Sequence, residues 1–368
     1  DWLAAQPAVE RAVSYALATS FGERCYALAA VLVAWLLVLW IVPKARLATW
    51  GFWYFFLSKD KQTRKPDDAW IDYDALGVQR KKVVFIRHGE SAWNAVFNKG
   101  SKLLLPVRLA IALVKEALML FDQDSLFIDS PLSQIGIDQA WELLQYLAEP
   151  DGADSAKASL PVKQLEVNDL IAIIRGDFGK SMIVSSNLRR AISTGLICLS
   201  TRMLKTSEQT VEKIVLLTHL QEISRNVDTL ALTPEFETPQ VPAREAAWTR
   251  LGTIMTHFYK TRLYGKKNTG NKTFKQTAKK RQMMFTSWLF DQQTDCMIVC
   301  GHSIYFREFF KSYLPKSADH DAKKCKMTNC GVVAFDFYKK NEVLRIDPDS
   351  IKVVHGGFEK KGKDKKKV

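Results

Sequence analysis

Cysteine, histidine and acidic residues are all sparse in this 368-residue chain. Six cysteines scattered over that length do not make a disulfide framework, and a chain so long needs none to hold a core. Cys296 and Cys300 lie in an apolar run, and Cys325 and Cys330 stand five apart. Neither pair has the two-residue spacing of common zinc modules, so buried free thiols are expected, and neither a metal nor a cofactor is. The shortage of acid, 39 Asp and Glu against 53 Lys and Arg, leaves a net charge of +14. That balance favours anionic partners: phosphorylated substrates, anionic membrane lipid or nucleic acid. None of the nucleic-acid-binding motifs with a spacing signature of its own is present, so nucleic acid is not expected as a partner. Disorder is excluded by 47% hydrophobic against 25% charged residues. The length suits one large domain or two ordinary ones.

The first residue is Asp1 rather than methionine, which leads to the expectation of a removed targeting segment or a missing start. Residues Tyr26 to Val42 carry no charge. At about 1.5 Å per residue they make roughly 26 Å of helix, enough to cross a bilayer core. Trp35 and Trp40, with Arg24, Lys44 and Arg46 at the flanks, suit interfacial anchoring. A transmembrane helix is therefore expected, with a cleavable signal peptide and a buried helix of a soluble domain as the competing readings. Pro43 ends it. The aromatic block Trp50 to Leu57 is too short to span and reads as an interfacial segment, followed by Lys59, Lys61, Arg64 and Lys65. The basic excess after the span places the large domain on the positive side of a single-pass membrane protein, in cytosol, matrix or stroma. An organelle inner membrane fits.

Five short apolar runs read as strands: Lys82 to Ile86, Ser181 to Ser185, Lys213 to Leu217, Cys296 to Cys300 and Val332 to Phe335. Helical stretches alternate with them. The expected fold is an α/β three-layer sandwich with a mostly parallel sheet. The expected domains are an N-terminal segment 1–25, the span 26–42, an interfacial segment and linker 43–79, a globular domain 80–356 and a basic tail 357–368. Two stretches exceed a minimal domain of this kind. Lys102 to Phe121 reads as an amphipathic helix that covers the site, touches a membrane or partner, or packs on its own domain. Phe258 to Thr286 holds nine Lys and Arg and no acid, and reads as an exposed basic loop and helix.

Chemistry gathers at the ends of the strands, where open α/β sheets place their sites. Arg87-His88-Gly89-Glu90 follows the first strand. A neutral imidazole attacks phosphorus well, an arginine grips phosphate in a fork, and glycine lets the backbone approach closely. Ser186-Asn187-Leu188-Arg189-Arg190-Ala191 follows the second strand, with Arg190 in the first helical turn, where an anion is favoured. Gly301-His302-Ser303 follows the fourth.

Together these segments resemble the histidine phosphatase superfamily, in its phosphoglycerate mutase-like branch. Arg87-His88-Gly89-Glu90-Ser91-Ala92-Trp93-Asn94 is similar to the first motif of that branch, and the Arg190 segment to the second. Asp129-Ser130-Pro131-Leu132-Ser133-Gln134-Ile135-Gly136 is similar to the segment between them, and Gly301-His302 to the closing motif. The resemblance covers roughly Lys82 to Asp336. It implies that His88 attacks phosphorus, that Arg87, Arg190 and His302 bind the phosphoryl oxygens, and that Ser91 and Asn94 line the pocket. It implies Glu222 as proton donor, since Ser303 stands where another branch places an aspartate, with Glu90 as the alternative acid. A carboxyl facing bound phosphate is held protonated more readily. His219, near Glu222, is expected at the surface. Ile223-Ser224-Arg225-Asn226 departs from the mutase pattern after the donor, and Gly301-His302 from the commoner His-Gly order.

The expected function is that of a membrane-anchored phosphatase acting on a phosphomonoester through a phosphohistidine. A structural or accessory subunit of a larger membrane protein complex that keeps the fold is the alternative, and a phosphoglycerate mutase-like phosphotransferase a further one.

Overall fold

The computed structural model describes residues 2–69, 71–98, 100–149, 166–205, 211–248 and 250–359. They fall into two compact units, Asp1–Trp50 and Gly51–Val368. In the first, a helix runs over Trp2–Ile41. Its stretch Phe21–Ile41, 21 residues of mean hydropathy 2.1, is long and apolar enough to cross a membrane. Val42 breaks the helix, and Pro43 opens the next, Pro43–Leu57, at the position where its missing N–H costs nothing.

The second unit is built on an eight-stranded sheet. Its strands are β1 (Gln79–Arg87), β2 (Ser181–Ser186), β3 (Ile214–Leu217), β4 (Leu263–Tyr264), β5 (Cys296–Gly301), β6 (Val332–Lys340), β7 (Val343–Ile346) and β8 (Lys352–His355). The order is β4-β3-β2-β5-β1-β6-β7, with β8 also on β6. Only β6 runs against the rest, being antiparallel to β1, β7 and β8. The five expected strands are all present, in a mixed sheet flanked by helices.

Strand alternation feeds two cores, as a sheet covered on both faces requires. Val84 and Ile86 enter one, with Ile137, Ile174 and Ile192 from helices on that face. Val83 and Phe85 enter the other, with Phe285, Phe306 and Phe309 from helices opposite. Phe85 stacks on Phe306 at 4.0 Å, fixing the Ser303–Tyr313 helix over the end of β1.

Three expectations need correction. The compact unit starts at Gly51, not Arg80: Tyr54 and Asp60 are fully buried, Ile71 is buried, and Tyr73 lies on Tyr338 at 4.5 Å. The expected linker is strapped down because Asp67 pairs with Arg345 and the Ala69 carbonyl accepts from Arg345 at 2.8 Å. At the other end Phe358 bridges Met327 and the Glu359 N–H donates to the Lys326 carbonyl at 2.7 Å, so packing runs past residue 356. The lysine-rich tail lies outside the described residues. The basic stretch is exposed only in part: Lys260, Lys266, Lys267, Lys275, Lys279 and Lys280 are exposed, whereas Arg262, Lys272 and Arg281 are buried. Lys102 to Phe121 forms a short 3-10 turn and the helix Leu105–Leu118, of which only Ala112 is buried, while Leu103, Ile111, Val114 and Phe121 are exposed.

Candidate active site

A cavity of 210 Å³ opens at the carboxyl ends of the parallel strands. Arg87, His88, Ser91, Asn94, Arg190 and Glu222 all line it. His302 is fully buried beside it, its ring 5.0 Å from that of His88. All seven expected site residues are thus brought together.

The ladder sets the first pair. Arg87 stands opposite Gly301 in the β1–β5 register, and the His88 N–H donates to the Gly301 carbonyl at 3.0 Å. The His88 Nδ1 lies 2.5 Å from the Gly89 carbonyl oxygen. A carbonyl only accepts, so Nδ1 carries the proton and Nε2 keeps its lone pair. Burial, then the charges of Arg190 and Arg87, push the His88 pKa well below its ordinary value, so the ring is neutral at pH 7. Burial and Arg190 do the same to His302, whose two ring nitrogens have no hydrogen-bond partner among the described residues. A buried polar group without a partner is costly.

Close backbone contact fixes the turn. A Cβ on Gly89 would strike the Gly136 carbonyl, and one on Gly136 would strike the Glu90 carbonyl. This is what the Asp129–Gly136 segment does: it packs on the first motif. The Ser133 N–H and hydroxyl donate to the Glu90 carbonyl and carboxylate, each at 2.8 Å. Glu90 is buried and does not line the cavity. Asp129, with φ at 49°, accepts from the Arg189 N–H at 2.9 Å. Adjacent positions in a helical turn point apart, and Arg189 turns inward to Asp124 and Asp129 while Arg190 faces the cavity.

Arg87 and Arg190 already face carboxylates of this chain. Arg87 donates to Glu359 at 2.8 Å and to the Met327 carbonyl. Arg190 donates to the Asp228 carbonyl at 2.8 Å, with the Asp228 carboxylate at 3.5 Å. Glu222 accepts backbone N–H bonds from Ile223 at 2.8 Å, Tyr305 at 2.9 Å and Ile304 at 3.2 Å. Two of those donors are first-turn N–H groups of the Ser303–Tyr313 helix that have no partner within it.

Sequence reasoning missed the rest of the lining. Ser224, Asn226, Asp228 and Thr229 form the wall beyond Glu222, and Trp93, Asn98 and Lys326 complete the mouth. Asp228 Oδ1 is buried without a partner among the described residues, and burial raises its pKa despite Arg190. The only available signal was proximity to Glu222 in the chain. His219 is half-buried and does not line the cavity. Among the described residues no cluster of His, Cys, Asp and Glu is placed to hold a metal.

No family model matches the chain, and no curated protein does. Among solved structures it is similar to a mycobacterial glucosyl-3-phosphoglycerate phosphatase complexed with VO3, at 15% identity over 73% of this chain and 97% of that one, TM-score 0.32. It is also similar to a phosphoserine phosphatase variant from Entamoeba histolytica in complex with phosphoserine, at 14% identity over 72% and 94%, TM-score 0.32.

Proposed function

We propose that this chain is a membrane-anchored phosphatase that hydrolyses a phosphomonoester through a phosphohistidine on His88. The carrying observation is the state of His88: Nδ1 is committed to the Gly89 carbonyl, the ring is neutral, and two arginines stand beside it. The Nε2 lone pair attacks phosphorus and the bond from phosphorus to the leaving oxygen breaks. Arg87, Arg190 and His302 take the phosphoryl oxygens, where their fixed donors stabilise developing charge. Ser91 and Asn94 bound the same space. The leaving oxygen takes its proton from the carboxyl wall, from Glu222 or Asp228. Water then attacks the phosphohistidine, releasing phosphate and returning the proton to that carboxyl. The apolar helix Phe21–Ile41 supplies the anchor, with lipid at the exposed aromatics Phe52, Trp53, Phe55 and Phe56.

The test compares wild type with His88→Ala on a phosphomonoester panel while trapping acid-labile phosphohistidine. Turnover and labelling in wild type alone are expected. Neither in the wild type would sink the proposal. A second reading, a subunit of a membrane protein complex with a silent site, is favoured by one observation: Arg87 and Arg190 are already engaged by Glu359 and Asp228. A stable large assembly recovered in mild detergent, together with an inactive wild type, supports that reading.

A further inference from the structure

Three charged side chains behind the cavity wall are fully buried: Asp60, Lys272 and Arg281. They come from distant parts of the chain. Asp60 lies just past the aromatic helix, Lys272 in a loop, and Arg281 in the helix Ala278–Phe290. The Asp60 carboxylate accepts from Lys272 Nζ at 2.9 Å, Arg281 Nη2 at 2.6 Å and the Ser224 N–H at 3.1 Å.

The two cations point onward into the wall. Lys272 Nζ donates to the carbonyls of Glu222 and Ser224, both at 2.6 Å, and to the Thr229 hydroxyl at 3.1 Å. Arg281 donates to the carbonyls of Gln221, at 2.5 Å, and His219, at 3.3 Å. Residues 221–226 are irregular, and their buried carbonyls have no ladder to satisfy them. The same run carries Glu222, Ser224 and Asn226 into the cavity, with Asp228 and Thr229 just beyond. Two buried cations are tolerable only if paired, and removal of one partner leaves the other charge uncompensated. Asp60 forms the ion pair with each of them. Burial pushes its carboxyl pKa up, but Arg281 and Lys272 more than offset this and hold it below the usual carboxylate range.

We infer that Asp60 is a positioning residue for the cavity wall, acting through Lys272 and Arg281 on the backbone that carries Glu222 and Asp228. The ionic support of the site therefore begins before its first strand, immediately after the aromatic helix. The inference rests on the proposed phosphatase reading for its kinetic consequence, but not for its structural one.

The test uses the full chain as wild type, Asp60→Asn, Asp60→Glu and the double variant Asp60→Ala/Lys272→Met, which keeps the wild-type net charge of the buried cluster. Amide hydrogen exchange is read across the molecule, together with turnover of an alkyl phosphate, glycerol 2-phosphate, and orthophosphate affinity. Exchange at residues 221–229 is expected to quicken in Asp60→Asn while β1 and β5 keep their protection. A wall displaced by about 1 Å lowers kcat by about 10²-fold. Phosphate affinity, held by the strand ends, shifts less than about threefold, and Asp60→Glu restores part of the rate. The double variant restores the net charge of the buried cluster and still shows the slow rate. Unchanged exchange at 221–229, or a uniform rise across the unit, overturns the inference. So does a parallel loss of kcat and phosphate affinity. If the wild type turns nothing over, the phosphatase reading falls, and exchange alone decides the role of Asp60.

Discussion

The two sides of the cavity are built differently. On one side Arg87 and His88 end β1, His302 follows β5, and Arg190 starts the helix after β2. Those strands are neighbours in one parallel ladder, so sheet hydrogen bonds set the spacing of the proposed phosphate cradle. On the other side the wall from Glu222 to Thr229 is mostly irregular, and Lys272, from outside it, holds the Glu222 and Ser224 carbonyls. The proposed nucleophile is placed by the sheet, whereas the backbone that carries Glu222 is held by buried charges. One side is rigid wherever the fold exists. The other is only as good as its ionic support.

Substitutions test that contrast in descending order of effect. His88→Ala removes the proposed nucleophile, and kcat is expected to fall on the order of 10⁵- to 10⁶-fold with no trapped phosphohistidine. A fall under tenfold would place the chemistry elsewhere. On the wall, Glu222→Gln and Asp228→Asn separate the proton donor by leaving group. Removal of the donor costs about 10²- to 10⁴-fold on an alkyl phosphate and little on p-nitrophenyl phosphate, which leaves without a proton. The three N–H bonds into Glu222 and the unpartnered oxygen of Asp228 lead us to expect that signature from Asp228→Asn. Equal losses on both substrates would mark either residue as structural.

Smaller effects follow from the groups around Arg87 and the histidines. Glu359 is half-exposed, and Glu359→Gln frees Arg87 to tighten orthophosphate binding by up to about fivefold, the reach of a surface ion pair. Unchanged or weaker binding, measured by calorimetry, would show that Arg87 does not meet the anion. His88 and His302 have pKa values held well below the ordinary histidine value. The acid limb of kcat/KM therefore lies below about pH 6.5. Unfolded histidines bind protons that these folded ones refuse, so stability falls as pH drops below that value. His302→Gln is expected to flatten the fall in a thermal-unfolding series, and an unchanged slope would contradict it.

The cradle was legible because each of its parts follows an apolar strand within a few residues. An apolar run that meets Arg-His-Gly, Asn-Leu-Arg-Arg or Gly-His announces both the element and what stands at its end. The wall was not legible, because its order comes from charges remote in sequence: Asp60 and Arg281 lie 221 residues apart, and Asp60 and Lys272 212. Seen alone, Lys272 and Arg281 belong to a basic run that reads as a solvated face, and Asp60 to a charged linker. Burial makes them a single unit, and burial is a property of the folded chain. The helix Leu105–Leu118 shows the limit from the other direction. Its amphipathic pattern gave the helix, but no sequence pattern told which face would stay exposed.

Gly89 and Gly136 carry a consequence of another kind. Each is blocked by backbone, not by a side chain that can swing aside. Relaxing one position therefore does nothing for the other, and no second-site change of side chain opens room for a methyl group at either. In a saturation library scored for folded protein, these two positions should stand as paired blank columns, without suppressors, forty-seven residues apart in the gene.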